Sequence, residues 1–329
     1  MSTHTSLAHD AMFYGSDEEF LAVLVPFVRE GLTGEEAVTA ALTADNIALL
    51  RDALGVDAAA VSFIDRDEWY SRPTTTIAGW REVLRQGSRH GHTQFRLIGE
   101  VGFGPTDRHV TWSRYEAALN DVFAGAPAWI VCPYDTRALP PTVLTDARRT
   151  HPTVIDDVRR DSDQYLPAED FLRTVPEPLP AATDAPVLQI PVTMDGLATR
   201  QALREALAAQ GWGDPGRLQD LLLVATELIT NSLRHGRGHR ELRLWISGRT
   251  VTGEVTDEGD GPGDPLAGYR PPENTLPGGR GLWLANQLCD ALTLSHQEGT
   301  TRARFTMTAP APDKGNGRRR HTASATRLM

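Results

Sequence analysis

The sequence of 329 residues contains only two cysteines, Cys132 and Cys289. They lie far apart and form neither a disulfide framework nor a zinc-binding pattern. Long apolar runs are also missing, because the longest, FLAVLVPFV, is well short of the ~20 residues that a bilayer span needs. The first residues, MSTHTSLAHDAMFYG, lack the basic stretch and apolar run of a signal peptide. We therefore expect a cytoplasmic protein that does not associate with membranes.

Positive charge is scarce in this chain. Lys and Arg number 33 against 43 Asp and Glu, which gives a formal net charge of -10. This balance argues against a protein that binds nucleic acid through phosphate contacts, so we expect no direct DNA binding. The one basic run, GRRRH at 317–321, lies in a tail, 309–329, that is rich in Gly, Pro, Ser and Thr. We predict that this basic tail is disordered.

The length predicts two domains, at roughly 150 residues per domain. Segment 156–185 is rich in Asp and Pro and is predicted to be a linker, extended in part, because proline fixes φ and disfavours helix before it. In 9–155, apolar segments alternate with helical patterns, which favours an α/β domain with a mostly parallel sheet. The predicted strands are AMFY, AAAVSFI, TQFRLIG and AWIVCPY, and the predicted helices are 16–31, 112–123 and 139–149.

The second predicted domain, 186–308, has a different pattern. Its apolar segments form hairpin-like pairs, while its helices are grouped, which is typical of an α+β two-layer sandwich. The predicted strands are VLQIPV, ELRLWISG, VTGEVTD, ALTLSH and TRARFTMT, and the predicted helices are 196–210, 215–235 and 281–289.

The helix 215–235 carries three polar residues spaced four apart: Glu227, Asn231 and His235. At helical spacing they share one face, opposite an apolar face that includes Leu221 and Leu228. Taken alone, this row is typical of the solvated face of an amphipathic helix. His235 lies near the helix end, where a C-terminal cap role is equally compatible with its position.

Two glycine-containing segments follow this helix. DEGDG, 257–261, comes directly after a predicted strand, and its glycines permit a tight turn and a close approach of a ligand to the backbone. It does not fit a calcium loop, because Gly259, Gly261 and Gly268 would stand at ligand positions. GGRGLWLANQL, 278–288, opens a helix with glycines, as an anion site would. It matches neither the Rossmann nor the P-loop pattern.

The order of these segments resembles that of the GHKL (Bergerat-fold) ATPase superfamily, to which histidine kinases and gyrase belong. The shared features are a helix with E-x-x-x-N, a strand ending in D-x-G-x-G, a loop, and G-x-G at a helix start. The resemblance covers about 186–308 and implies that the cofactors are ATP and Mg²⁺. It implies Asn231 as the magnesium ligand, Glu227 as the general base or as the residue that orients the attacking group, and 262–278 as the lid over the nucleotide. For the nucleotide itself it implies Asp257 at the adenine, room for the base at Gly259 and Gly261, and contacts to the phosphates from Gly279, Arg280 and Gly281.

Within that superfamily the second domain is similar to the anti-sigma factor serine/threonine kinases. Such kinases bind a sigma factor and phosphorylate a STAS-type antagonist, so the resemblance implies these partners and a possible homodimer. Segment 156–186 contains no histidine, which disfavours a histidine kinase that phosphorylates itself. Two alternatives remain open. One is an ATP-dependent binding module without catalysis, and the other is a histidine kinase-like protein whose phosphoacceptor lies in another chain.

The first domain resembles the MEDS (DcmR-like) sensory domain, a RecA-like α/β module. The similar segments are HDAMFYGSDEEFLAVLVPFVREGLTGEEAV, YEAALNDVF, AWIVCPYDT and the His-Pro pair at 151–152. The resemblance implies that this domain senses a small molecule, a hydrocarbon derivative. The acidic loop YGSDEE would repel phosphate, so we expect no ATP site in this sheet. His9, Cys132 and Tyr134 either line a ligand pocket at a sheet end or serve as structural residues.

Overall fold

The computed structural model describes residues 6–177, 179, 184–212, 214–271 and 280–310. In these residues the chain forms two β-sheets, one parallel-rich and one antiparallel, each with helices packed on it. Among them, no helix combines the length and the hydropathy that crossing a lipid bilayer requires.

The first sheet has seven strands in the order β3-β2-β4-β5-β1-β6-β7. Its strands are β1 (Ala8–Tyr14), β2 (Ala37–Leu42), β3 (Ser62–Asp65), β4 (Phe95–Gly99), β5 (Ala128–Asp135), β6 (Thr153–Ile155) and β7 (Arg159–Asp161). All neighbouring strands are parallel except β6 and β7, which are antiparallel. The mostly parallel α/β sheet predicted from the sequence is therefore confirmed.

Helices cover both faces of this sheet. They are α1 (Asp17–Thr33), α2 (Ala44–Leu54), α3 (Arg66–Trp69), α4 (Pro73–Arg89), α5 (His109–Val122), α6 (Pro141–Thr150) and α7 (Ala168–Thr174). Because side chains alternate along a strand, Met12 and Tyr14 of β1 face a core with α1 and α2. Ala11 and Phe13 face a second core, to which α4, α5, α6 and α7 contribute. We call this second core the α5-side core.

The structure differs from the sequence-based expectations in two places. Residues 55–60, which overlap the predicted strand AAAVSFI, form a 3₁₀ turn, and the strand begins only at Ser62. The elements β2, β6, β7, α2, α3, α4 and α7 were not predicted. Segment 156–185, predicted to be a linker that is extended in part, contributes β7 to the first sheet and buries Ala168 and Leu172 of α7 in the α5-side core.

The second sheet is antiparallel, with five strands in the order β11-β12-β10-β9-β8. These strands are β8 (Leu188–Pro191), β9 (Glu241–Ser247), β10 (Thr250–Asp257), β11 (Ala291–Gln297) and β12 (Thr300–Thr308). The helices α8 (Gly196–Ala209), α9 (Pro215–His235) and α10 (Arg280–Leu288) share a core with the strands. The predicted α+β fold and the fold class are therefore confirmed.

Candidate functional site

Helix α9 presents the first two residues of the predicted polar row beside the second core. Asp214 caps its N-terminus by accepting a hydrogen bond from the Arg217 amide at 2.8 Å. The apolar face is buried, while Glu227 and Asn231 are half-buried on the other side. Asn231 Nδ2 is buried and has no hydrogen-bond partner among the described residues, so this donor is left unsatisfied by them. His235 is exposed in the last turn, away from this enclosed part of the row.

Asp257, the last residue of β10, is buried against the C-terminal end of α9. Its Oδ1 accepts a hydrogen bond from the Gly259 amide at 2.9 Å. A Cβ atom at Gly236, the residue after α9, would lie 2.5 Å from the Asp257 carboxyl carbon. The absence of a side chain at 236 therefore lets the helix end and the carboxylate meet.

The two glycines after Asp257 are required by close packing of the protein itself. A Cβ at Gly259 would lie 2.8 Å from Asp257 Oδ1 and 3.0 Å from the Cα of Gly236. Gly261 has a φ of 79°, and a Cβ there would lie 2.7 Å from the Cβ of His296. A residue with a side chain at either position would displace the turn that holds Asp257 against α9.

The start of α10 lies against Glu227. A Cβ at Gly281 would be 2.4 Å from Glu227 Oε2, so a side chain at 281 would force the Glu227 carboxylate to move. Arg280, the first residue of α10, is exposed. Gly279, which the sequence places with them, lies outside the described residues.

These groups lie along α9 between Glu227 and Gly236, a span of roughly 13 Å at 1.5 Å per residue. Glu227 meets Gly281 at one end of the span, and Asp257 meets the helix end at the other. Asn231, whose Nδ2 is unsatisfied by the described residues, lies between them. A side-chain amide, a carboxylate, a helix N-terminus and glycine-lined backbone are groups that can bind a nucleotide with Mg²⁺.

The segment that follows Gly261 leaves the second domain and packs on the first. Leu266 is fully buried and Tyr269 is 8% exposed, and both belong to the α5-side core. Burial raises the pKa of Tyr269 to about 12. Arg270 pairs with Asp121 of α5 at 2.5 Å and with Asp264 at 2.8 Å. We call residues 262–271 the docked lid segment, since they form the described part of the predicted lid.

Helix α10 also contacts the first domain, through α4. Thr74 Oγ1 donates a hydrogen bond to the carbonyl of Asn286 at 3.1 Å, and Arg72 donates one to the carbonyl of Cys289. Trp283 of α10 packs against the α5-side core. The first domain therefore contacts both the segment after β10 and the helix that begins beside Glu227.

The first domain has a cleft of about 620 Å³ at the carboxyl ends of β1, β2, β4 and β5. Its walls include Tyr14, Asn46, Glu100 and Asp135, together with Arg66 and Arg137. Both arginines are paired, Arg66 with Glu100 at 2.7 Å and Arg137 with Asp135 at 2.9 Å. Four acidic residues line the cleft against two arginines. The cleft therefore suits a neutral or cationic small molecule better than a phosphate.

His9, Cys132 and Tyr134 do not line this cleft. All three are almost fully buried, with 1–2% exposure. Cys132 and Tyr134 belong to the α5-side core, and His9 lies beside Glu116 of α5, 3.2 Å from it. Of the two roles that the sequence left open, lining a pocket at the sheet end does not apply to this cleft, because these residues are buried between the strands and the helix layer.

Two family models match the chain. The model of the methanogen/methylotroph DcmR sensory domain, MEDS, matches residues 8–152. The model of the histidine kinase-like ATPase domain matches residues 191–307. Among curated proteins, no sequence matches the chain significantly.

Solved structures give two further similarities. The crystal structure of the RsbU and RsbW domains of a Mycobacterium tuberculosis protein matches at 24% identity with a TM-score of 0.30, covering 40% of this chain and 34% of that chain. The NMR structure of the histidine kinase domain of the E. coli osmosensor EnvZ matches at 15% identity with a TM-score of 0.24, covering 43% of this chain and 100% of that chain. The chain thus spans about a third of the length of the first of these structures.

The chain therefore carries a MEDS sensory domain in its N-terminal part and a histidine kinase-like ATPase domain of the GHKL type in its C-terminal part. This combination is that of a signalling regulator with a kinase- or ATPase-type second domain.

Proposed function

We propose that this regulator is a protein serine/threonine kinase of the anti-sigma type, controlled by a small molecule that binds its MEDS domain. In this proposal it phosphorylates a STAS-type antagonist, sequesters a sigma factor, or does both. The observation that carries the proposal is the docked lid segment. Leu266 and Tyr269 lie in the core of the sensory domain, while the same connection begins beside Asp257 and leads to the helix at Glu227.

In the nucleotide site, each of the residues described above has one role. Asn231 would bind Mg²⁺ through its amide oxygen, and Asp257 would accept a hydrogen bond from the adenine amino group. Glu227 would accept the proton of the attacking serine hydroxyl, as a carboxylate within hydrogen-bond reach can. Gly281 and Arg280 would lie at the phosphates. Bound Mg·ATP supplies the phosphoryl group and the cation that neutralises its charge.

Control by the sensory domain would act through the lid. The position of the lid over a nucleotide and the docked position are mutually exclusive. Leu266 cannot be buried in the α5-side core and lie over the ATP at the same time. A ligand in the sensory cleft that binds one packing of the first domain more tightly shifts this equilibrium. Whether the ligand activates or inhibits the second domain depends on which packing of the first domain it binds more tightly.

The decisive experiment separates nucleotide binding from phosphotransfer. We expect Asn231→Ala to weaken Mg·ATP binding at least tenfold, whereas Glu227→Gln keeps the binding and abolishes phosphotransfer. His235→Ala is the matched control on the same helix, and it should leave both unchanged, because His235 is exposed at the helix end. An Asn231→Ala variant with wild-type Mg·ATP affinity contradicts the assignment of the site.

The substrate is identified by capture from host lysate with Mg·ATP or Mg·ADP, followed by phosphorylation of the captured protein. Nucleotide-dependent capture of a sigma factor or a STAS-type protein is the expected result. Acid-stable phosphate on the substrate indicates phosphoserine, and acid-labile phosphate indicates a histidine kinase-like activity instead. A third outcome is that the unaltered protein transfers no phosphate, while Glu227→Gln still binds the partner in a nucleotide-dependent way. In that case the domain is an ATP-dependent binding module.

A further inference from the structure

Four side chains from distant parts of the sequence meet inside the sensory domain. They are His9 of β1, Glu116 of α5, Cys132 of β5 and His151, which follows α6. All four residues are at most 2% exposed. One ligand atom from each lies within 4.8 Å of the other three. A buried group of two imidazoles, a thiol and a carboxyl is costly to assemble unless something compensates it.

The hydrogen bonds around His9 determine which of its nitrogens carries the proton. Asn120 Nδ2 donates to the carbonyls of Thr150 at 2.6 Å and Ala117 at 3.3 Å, and this orients the amide. Asn120 Oδ1 is therefore an acceptor, and it lies 3.0 Å from His9 Nδ1. Nδ1 must be the donor in this pair, so Nε2 of a neutral His9 ring presents a lone pair to the cluster.

The same reasoning applies to His151. Its Nδ1 lies 2.8 Å from the carbonyl oxygen of Ala147, which can only accept a hydrogen bond. In a neutral His151 ring, Nε2 then carries a lone pair that points into the cluster, and Nε2 has no hydrogen-bond partner in the part of the chain that the structure describes. Glu116 Oε1 is likewise buried and unpartnered among these residues. Two lone pairs and a carboxylate facing one another repel unless a proton or a metal ion lies between them.

Four of the six distances between the ligand atoms match a tetrahedral zinc site, and the other two, from His151 Nε2 to His9 and to Cys132, are within 4.8 Å. With bonds of ~2.0–2.1 Å to nitrogen or oxygen and ~2.3 Å to sulfur, tetrahedral geometry places N and O ligands ~3.3 Å apart and S and N or O ligands ~3.6 Å apart. Glu116 Oε2 is 3.2 Å from His9 Nε2 and 3.4 Å from His151 Nε2. Cys132 Sγ is 3.4 Å from His9 Nε2 and 3.6 Å from Glu116 Oε2.

We propose that His9, Glu116, Cys132 and His151 bind one Zn²⁺ ion. Four protein ligands in a closed, buried site are typical of structural zinc. The Nδ1 hydrogen bonds to Asn120 and Ala147 are the outer contacts that orient ligating imidazoles. On binding, the Cys132 thiol loses its proton to solvent and the thiolate coordinates the metal. The ion joins β1, α5, β5 and the residue that follows α6, and so fixes helix α5 on the sheet.

The test uses the untagged full-length protein, unfolded in denaturant with a chelator and refolded with Zn²⁺, with Co²⁺ or without metal. We expect one zinc per chain after gel filtration and a higher Tm with zinc than without. X-ray absorption at the zinc edge should show one sulfur and three nitrogen or oxygen ligands at the distances given above. Co²⁺ should produce a thiolate-to-cobalt charge-transfer band, which Cys132→Ser removes and the matched control Cys289→Ser retains.

Two outcomes overturn the proposal. The first is that the protein refolds with zinc present but keeps only traces of it and shows no change in Tm, in which case the cluster holds protons. The second is an X-ray absorption spectrum that shows no sulfur ligand on zinc, or a cobalt charge-transfer band that is retained in Cys132→Ser and lost in Cys289→Ser. If Cys132→Ser does not fold, the zinc absorption spectrum of the unaltered protein decides. None of these readouts depends on kinase activity.

Discussion

Replacing Leu266 with alanine should release the docked lid segment from the sensory domain. Leu266 is fully buried in the α5-side core, so the substitution removes three buried carbon atoms. At ~0.8 kcal/mol per buried carbon, the loss of burial alone is about 2.4 kcal/mol, and the cavity adds to it. Because 1.4 kcal/mol corresponds to a tenfold change in an equilibrium, the undocked population should rise about 50-fold.

Hydrogen exchange followed by mass spectrometry measures this population directly. We expect the amides of 262–271 to exchange about 50-fold faster in Leu266→Ala, where exchange reports the equilibrium between docked and undocked states. Arg270→Ala is a comparison variant for which a smaller change in the exchange rate is expected. Arg270 and Asp121 are 42% and 32% exposed, and such ion pairs contribute ~0–1 kcal/mol, so we expect less than about a fivefold change.

The matched control is Leu203→Ala, because Leu203 is buried in the core of the ATPase domain. It should lower the free energy of unfolding without selectively accelerating exchange in 262–271. The reasoning is refuted if Leu266→Ala folds with native circular dichroism and its 262–271 amides exchange at the wild-type rate. It is also refuted if Leu203→Ala accelerates the same peptide equally.

Three further predictions concern single residues. Gly281→Ala places a methyl group 2.4 Å from Glu227 Oε2 and should weaken Mg·ATP binding at least tenfold in calorimetry, while a Tm that falls instead would indicate a structural role alone. Burial raises the pKa of Cys289 to about 12, so at pH 8 its thiolate fraction should be roughly 2,000-fold below that of an ordinary thiol. A thiol reagent should therefore modify Cys289 only on unfolding, and rapid modification of the native protein contradicts its burial. The hydrogen bond from Arg137 lowers the pKa of Asp135, so the stability that this pair contributes is present above the unfolded pKa of ~3.9 and is lost as pH falls through the folded value. Asp135→Asn should lower stability by at most about 1 kcal/mol at pH 7, since the pair is partly exposed, and the difference should vanish at strongly acidic pH; a difference that persists there assigns it to another contact.

Local patterns were sufficient to predict the ATPase domain. Helix α9 combines an Asp-Pro start with a clear apolar face, and its periodicity placed Glu227 and Asn231 on the face opposite the apolar one. The hairpin strands alternate apolar and polar residues, and their pairing is antiparallel as predicted. In such segments, the periodicity, the caps and the turn residues all favour the same structure.

The sensory domain was harder to predict because its sheet is buried. Strand β2, AVTAAL, is short and lacks alternation, and its alanines favour helix as readily as strand. Helix α4 begins with three consecutive threonines after a proline, a composition that is typical of loops or strands. Only the tertiary contacts of these segments determine their structure.

Contacts between distant residues could not be derived from the sequence. Cys132 and His9 were candidate pocket residues, but nothing local connected them with Glu116 and His151. One signal was present, since Glu116 stands in the apolar segment YEAAL of a predicted helix, where a carboxylate requires a buried partner. The docking of Leu266 on the other domain left no local signal, and the family resemblance implied only a lid for this segment.

The docked lid segment also determines how this protein can be divided for experiments. Leu266, Tyr269 and Trp283 belong to the ATPase half of the chain, yet their apolar surfaces are covered by the sensory half. A fragment cut within 178–187 would expose all three to solvent as one apolar patch, a feature that promotes self-association in isolated domains. The nucleotide affinity of this fragment would be that of a domain whose lid has lost its docking surface. Activities measured on the excised domain are therefore those of a permanently undocked enzyme.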